Sequence, residues 1–211
     1  MKPTLLVFAT LVIFASSGRA DTFTQDFENT KNPAFQEVGG WNLTRTETDV
    51  STVEVSTERA HSGIQAARLK YQLSDERRLN IHPVKPEPVP IQGDTLYFSM
   101  WVRGSGTKDF KFARLWMMDN ATEDVRVEVP GLLEALAGTE WRQVRGSWKL
   151  SELQKGFFNP EHKVAPPLYW LGFYLFQDGT GKAQGTVFFD DLVLSDTPLP
   201  EAAATPPVDA P

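Results

Sequence analysis

The chain has 211 residues, with 27 Asp and Glu against 21 Lys and Arg, a formal charge of −6 and no cysteine. An acidic balance speaks against nucleic acid as a partner, and the lack of cysteine excludes disulfides and thiol chemistry. A chain of this length buries a core without such staples and suits one domain better than two.

Residues 1–20, "MKPTLLVFATLVIFASSGRA", combine Lys2, a short apolar core and a small-residue end. That is the pattern of a secretory signal cleaved after Ala20. The apolar run is too short to span a bilayer comfortably and no later segment does better. The expectation is an exported protein, periplasmic or extracellular, without membrane insertion.

From residue 21 onward, short runs of alternating β-branched and aromatic residues recur between Gly, Pro, Asn and Asp clusters, the signature of antiparallel strands. In chain order they are "TFTQDF" from Thr22, "TVEVST" from Thr52, "QAARLKYQL" from Gln65, "TLYFSMWVRG" from Thr95 and "FKFARLWMM" from Phe110. Then follow "EDVRVEV" from Glu123, "EWRQVRGSW" from Glu140, "LYWLGFYLF" from Leu168 and "GTVFFDDLVL" from Gly185. Only "PGLLEALAG", Pro130 to Gly138, reads as a helix, and a short one. The stretch "DERRLNIHPVKPEPVPIQG" gathers Arg77, Arg78, His82 and Lys85 before four prolines and reads as a solvated loop, with contact to an anionic sugar as its alternative. The sequence closes on a Pro- and Ala-rich segment, 197–211, expected to be a disordered tail. The fold expected for 21–196 is all-β, two antiparallel sheets in a sandwich or a closed barrel.

Two strands carry residue types suited to sugar rings, which offer apolar faces to aromatics and hydroxyls to planar polar groups. Period two places Phe110, Phe112, Arg114, Trp116 and Met118 on one face of their strand. An Arg beside a Trp is either a binding platform or a structural cation–π pair. Trp170 and Tyr174 lie four apart and so point to a common face, with Gly172 between them either giving a ligand room or marking a bulge. The three histidines, His61, His82 and His162, show neither metal-ligand spacing nor a nucleophile motif. Acidic pairs are too common in the chain to indicate a glycosidase.

In order along the chain, "TQDFENTK", "ERAHSGIQAARLKY", "GDTLYFSMWVRGSG", "TEWRQVRGSW" and "GTVFFDDLVLSD" resemble the strands of jelly-roll carbohydrate-binding modules of the galactose-binding-like type. The resemblance implies a jelly-roll sandwich that binds a poly- or oligosaccharide without catalysis. The alternatives are a structural or protein-binding envelope module of the same fold and, behind it, a lyase or hydrolase; "GFYLFQDG" is similar to a polysaccharide-lyase strand, whose companion motifs are missing. It implies that Trp41, Trp101 and Trp141 pack in the core. It also implies a structural calcium ion tying the first strand to the last. The ligands would be Glu28 and Asp190, with Asp191 as a substitute, and carbonyls around Ser62 and Gly63, a donor set that a hard cation accepts. Without a cation, the adjacent Asp190 and Asp191 would accept loop N–H groups or pair with an Arg at a bulge.

Overall fold

The computed structural model describes residues 22–28, 41–44, 51–74, 78–83, 86–89, 91–153, 161–177 and 182–200, with backbone alone at 41–44, 74 and 78. The signal segment, Arg77, Lys85, the Trp41 side chain and residues 201–211 therefore lie outside the described part.

Its elements are β1 (Thr22–Gln25), β2 (Trp41–Thr44), β3 (Thr52–Ser56), β4 (Ala66–Ser74), β5 (Arg78–Pro83), β6 (Glu87–Val89), β7 (Thr95–Arg103), β8 (Phe110–Met118) and β9 (Asp124–Glu128). The helix α1 (Leu132–Ala137) follows, and then β10 (Arg142–Lys149), β11 (Leu168–Gln177) and β12 (Lys182–Ser195). They form two antiparallel sheets. The first runs β10-β7-β12-β4-β3, with β1 also on β12; the second runs β2-β5-β11-β8-β9, with β6 also on β11. No helix among the described residues is long and apolar enough to cross a membrane.

The expected alternation explains which faces meet. Leu69, Tyr71, Leu96, Phe98, Met100, Val187 and Phe189 of the first sheet are buried against Ile81, Leu115, Met117, Phe173 and Leu175 of the second. The rings of Phe173 and Phe189 stack across the interface at 5.9 Å. The helix closes one end of the sandwich through Leu132, Ala135 and Leu136.

Three strands depart from the expectation. The stretch read as a solvated loop holds β5 and β6, because Leu79 and Ile81 alternate within "RLNIHP" and bury completely. Its arginines and prolines hide that period. The short β6 includes Pro88 and sits at the rim of its sheet, where a missing N–H is tolerated. The backbone of β2 adds the outer strand beyond β5.

Candidate functional site

The outward face of the second sheet is built by β8, β9 and β11. Antiparallel pairing sets Trp116 beside Arg126 and Gly172, Arg114 beside Glu128 and Tyr174, Phe112 beside Phe176, and Met118 beside Asp124 and Tyr169. The rows from Phe112 to Met118 span about 20 Å at roughly 3.4 Å per residue. Buried Ala113, Leu115 and Met117 hold the strand down from below. Phe110 is not part of this row, because the pairing shifts register between Phe176 and Gln177 and turns it into the core.

The side chains are cross-braced. Arg126 stands 4.7 Å from the centre of the Tyr174 ring and 5.6 Å from that of Trp116. Its guanidinium pairs with Asp124 at 2.6 Å, and the Trp116 indole N–H donates to the same carboxylate. Arg114 lies 4.8 Å from the Phe112 ring centre and donates to Glu128 at 3.1 Å. Flat rings held in place beside guanidinium and carboxylate groups suit a polyhydroxylated ring, which presents CH faces and paired hydroxyls. Asp124, Arg126 and Glu128 belong to this face and were not singled out from the sequence. Their signal was there: "DVRVE" alternates, and folding it back on β8 sets its polar residues against Met118, Trp116 and Arg114.

Of the four residues expected to contact sugar, Arg114, Trp116 and Tyr174 share this face, and Trp170 does not. Trp170 is 1% exposed. It packs against Phe23 and Phe173 at 5.6 and 5.8 Å and donates its indole N–H to the Gly172 carbonyl at 3.0 Å. The cause is a bulge: β11 pairs Trp170 with Met117 but Gly172 with Trp116, so one extra residue reverses the parity between positions 170 and 174. Gly172 serves this bulge. Its φ is +120°, and a Cβ there would lie 1.9 Å from the Ile81 carbonyl oxygen, so the space beside it is filled by the β5 backbone.

The acidic pair near the chain end lies on the other sheet. A register shift between Asp190 and Val193, with Asp191 at φ 48°, aims both carboxylates at the turn of residues 61–65. Asp190 is fully buried. It accepts N–H groups from His61 at 2.8 Å, Ser62 at 3.2 Å and Asp191 at 2.8 Å. Asp191 accepts the His61 Nδ1–H at 2.8 Å and the Ser62 hydroxyl at 2.7 Å. Glu28 accepts the N–H groups of Ile64 and Gln65 at 2.9 and 2.8 Å, and its carboxylate fills the space where a Gly63 side chain would start. Burial, and after it the Asp191 charge, push Asp190 up to about 7 against the pull of these N–H groups. Burial also opposes the Asp191 charge, but the His61 and Ser62 hydrogen bonds outweigh it and hold that carboxyl low.

Glu28, Ser62, Gly63, Asp190 and Asp191 are thus gathered as the resemblance implied. They do not fit a calcium ion as arranged: the turn aims N–H and O–H donors at the carboxylates, an arrangement that completes an anion's hydrogen bonds, where a hard cation needs converging oxygen lone pairs. Among the described residues no group of three or more His, Asp and Glu is placed to hold a metal. What the cluster does is clasp the 61–65 turn to residues 28 and 190–191, near the two strands that pair at the chain's ends.

Around it part of the outward face of the first sheet is occupied. Trp101 stacks on His61 at 3.7 Å and Trp141 packs toward Phe188 at 6.5 Å. Both indoles are therefore outside the inter-sheet core expected for them, at intermediate exposure. Arg68 pairs with Glu54 and Glu58, and Arg145 holds the Leu199 carbonyl at 2.5 Å, so the tail's first residues lie against the sandwich. His82 borders the open sheet instead, its Nδ1–H donating to the Pro83 carbonyl at 3.0 Å.

No protein-family model matches the chain, nor does any curated protein sequence. Among solved structures, the family 11 carbohydrate-binding module from Clostridium thermocellum in complex with a β-1,3-1,4-mixed-linked tetrasaccharide aligns at a TM-score of 0.51 with 11% identity, over 83% of this chain and 94% of that one. The shared property is this sandwich fold. A second structure of a family 11 module, from the cellulosomal cellulase Lic26A-Cel5E of the same organism, aligns at 0.48 with 8% identity over 82% and 94% of the two chains. The CBM22-1 xylan-binding domain from Paenibacillus barcinonensis Xyn10C aligns at 0.42 with 13% identity over 78% and 91%.

Proposed function

We propose that this chain is an exported, non-catalytic module that binds a poly- or oligosaccharide along the open face of β8, β9 and β11. The observation that carries the proposal is the braced row of Trp116, Arg126, Tyr174 and Arg114. Its rings and guanidinium groups are pre-positioned, so little side-chain freedom is lost when a ligand is bound. On the opposite sheet the clasp and residues 197–199 occupy part of the outward face. Supporting the choice of ligand, a module of the same fold is known in complex with a β-1,3-1,4-mixed-linked tetrasaccharide. Binding without chemistry is favoured because the carboxylates in the row, Asp124 and Glu128, are each committed to an arginine, whereas hydrolysis needs an acid and a base or nucleophile flanking the scissile bond. Export rests on the signal pattern of residues 1–20.

Affinity electrophoresis through gels holding β-glucan, xylan, mannan, galactan or pectin tests the proposal. Retardation by at least one polysaccharide, lost in Trp116→Ala, is expected. Migration unchanged in every gel, with Trp116→Ala weakening capture of an envelope protein, would favour a protein-binding module.

A further inference from the structure

At the Phe112 end the row leads into a cavity of about 370 Å³, whose walls include Lys111 and Phe112 of β8, Glu128 of β9, Pro130 of the following turn, and Leu133 and Glu134 of α1. Phe112 and Glu128 belong to both the row and the cavity. Glu128 pairs with Arg114, and Phe112 lies under the Arg114 guanidinium. The far wall is fixed: Gly131 at φ 75° turns the chain out of β9, and α1 is anchored by buried Leu132, Ala135 and Leu136. Leu133 and Glu134 are thereby set beside the end of β8 in a helix held by its buried face.

Resting on the sugar-binding proposal above, we infer that this end of the row is closed and that the cavity holds the terminal residue of a glycan. The module then recognises chain ends in preference to stretches within a chain. A glycan following β8 over Trp116 and Arg114 meets the wall formed by Pro130 and α1 and stops there. A terminal residue carries one hydroxyl more than an internal one, where that oxygen is locked in a glycosidic bond. The cavity matches such a group with the Glu128 and Glu134 carboxylates as acceptors and the Lys111 ammonium as donor, while the Phe112 ring takes the apolar sugar face.

The test counts binding sites in the full protein by isothermal titration calorimetry. Soluble β-glucan, xylan, mannan, galactan and pectin are each compared intact and after partial acid hydrolysis. With chain-end recognition, the number of modules bound per gram rises in proportion to the ends created. A variant that fills the cavity from an exposed helix position, Glu134→Trp, loses about tenfold in affinity with an unchanged Tm. Sites per gram that stay constant on hydrolysis, with Glu134→Trp binding like the wild type, overturn the chain-end inference and leave the sugar-binding proposal standing. No heat with any of the five glycans, intact or hydrolysed, overturns both.

Discussion

The bulge at Gly172 decides which aromatic of β11 serves the core and which serves the face, and Trp170→Ala tests that division. Trp170 is 1% exposed and lies against Phe23 and Phe173. Removing its indole leaves a void between the sheets and frees the Gly172 carbonyl that the indole N–H satisfies. Truncating a buried Trp costs about 3–5 kcal/mol, and the orphaned carbonyl places the effect toward the upper end. For a domain of this size each kcal/mol lowers Tm by about 2–4 °C, so a drop of about 6–20 °C is expected in a calorimetric scan. Urea unfolding should give the same loss with an unchanged slope. Tyr174→Ala, four residues away on the outward face, should cost about 1 kcal/mol or less, because only a cation–π contact and partly exposed ring area are lost. Had the strand run without a bulge, the two substitutions would behave alike. A Trp170→Ala protein with wild-type Tm, or a Tyr174→Ala protein as unstable as Trp170→Ala, would refute the assignment.

The clasp of Glu28, Asp190 and Asp191, held by N–H and O–H donors, predicts the same Tm in millimolar calcium and in excess chelator. Asp190→Ala should cost about 1–3 kcal/mol by stranding the three N–H groups it accepts; a calcium-dependent rise in wild-type Tm that disappears in Asp190→Ala would instead demonstrate an ion. Asp119 is 1% exposed and accepts the N–H groups of Ala121 and Glu123 together with a hydrogen bond from His162. Burial opposes its charge, but these bonds outweigh burial and depress its pKa. Such a group stabilises the fold above the ordinary carboxylate value of about 4 and loses that contribution as pH falls through its lower folded value. The Tm gap between wild type and Asp119→Asn should therefore be wide at neutral pH and close on acidification below about 4; a gap that widens with acid would contradict this. Arg126→Lys keeps the charge but not the flat guanidinium that spans Tyr174 and Trp116. It should weaken glycan binding while costing about 1 kcal/mol in stability, and equal affinity of the two proteins in calorimetric titration would count against the role given to Arg126.

Much of this architecture is legible in the residues. Alternation in "TLYFSMWVRG" and, from Phe112 onward, in "FKFARLWMM" marks strands with a buried face, and it places Arg114 and Trp116 together. Alternation fails where a single residue is inserted, and the bulge beside Gly172 leaves no mark but the glycine itself, so parity counting put Trp170 on the wrong side. The strands β5 and β6 were hidden for a different reason: their buried apolar positions, Leu79, Ile81 and Val89, are few and stand among charged and proline residues that mask the period. The resemblance to jelly-roll modules, and no pattern in the residues themselves, brought Glu28, Ser62, Gly63, Asp190 and Asp191 to one place. It could not show whether the turn offers them carbonyls or N–H groups, since that is a matter of peptide orientation. The Asp119–His162 contact joins the β8–β9 turn to the lead-in of β11 across 43 residues, beyond the reach of any local pattern.

The most direct test of the central claim sets the two faces of the sandwich against each other by isothermal titration with a polysaccharide that retards the wild type. Trp116→Ala and Tyr174→Ala on the β8–β11 face should each lose about 1–2 kcal/mol of binding, a five- to thirtyfold weaker Kd. Tyr97→Ala, on the outward face of the other sheet, should bind like the wild type. Wild-type affinity in both Trp116→Ala and Tyr174→Ala, with loss of binding in Tyr97→Ala, would contradict the account.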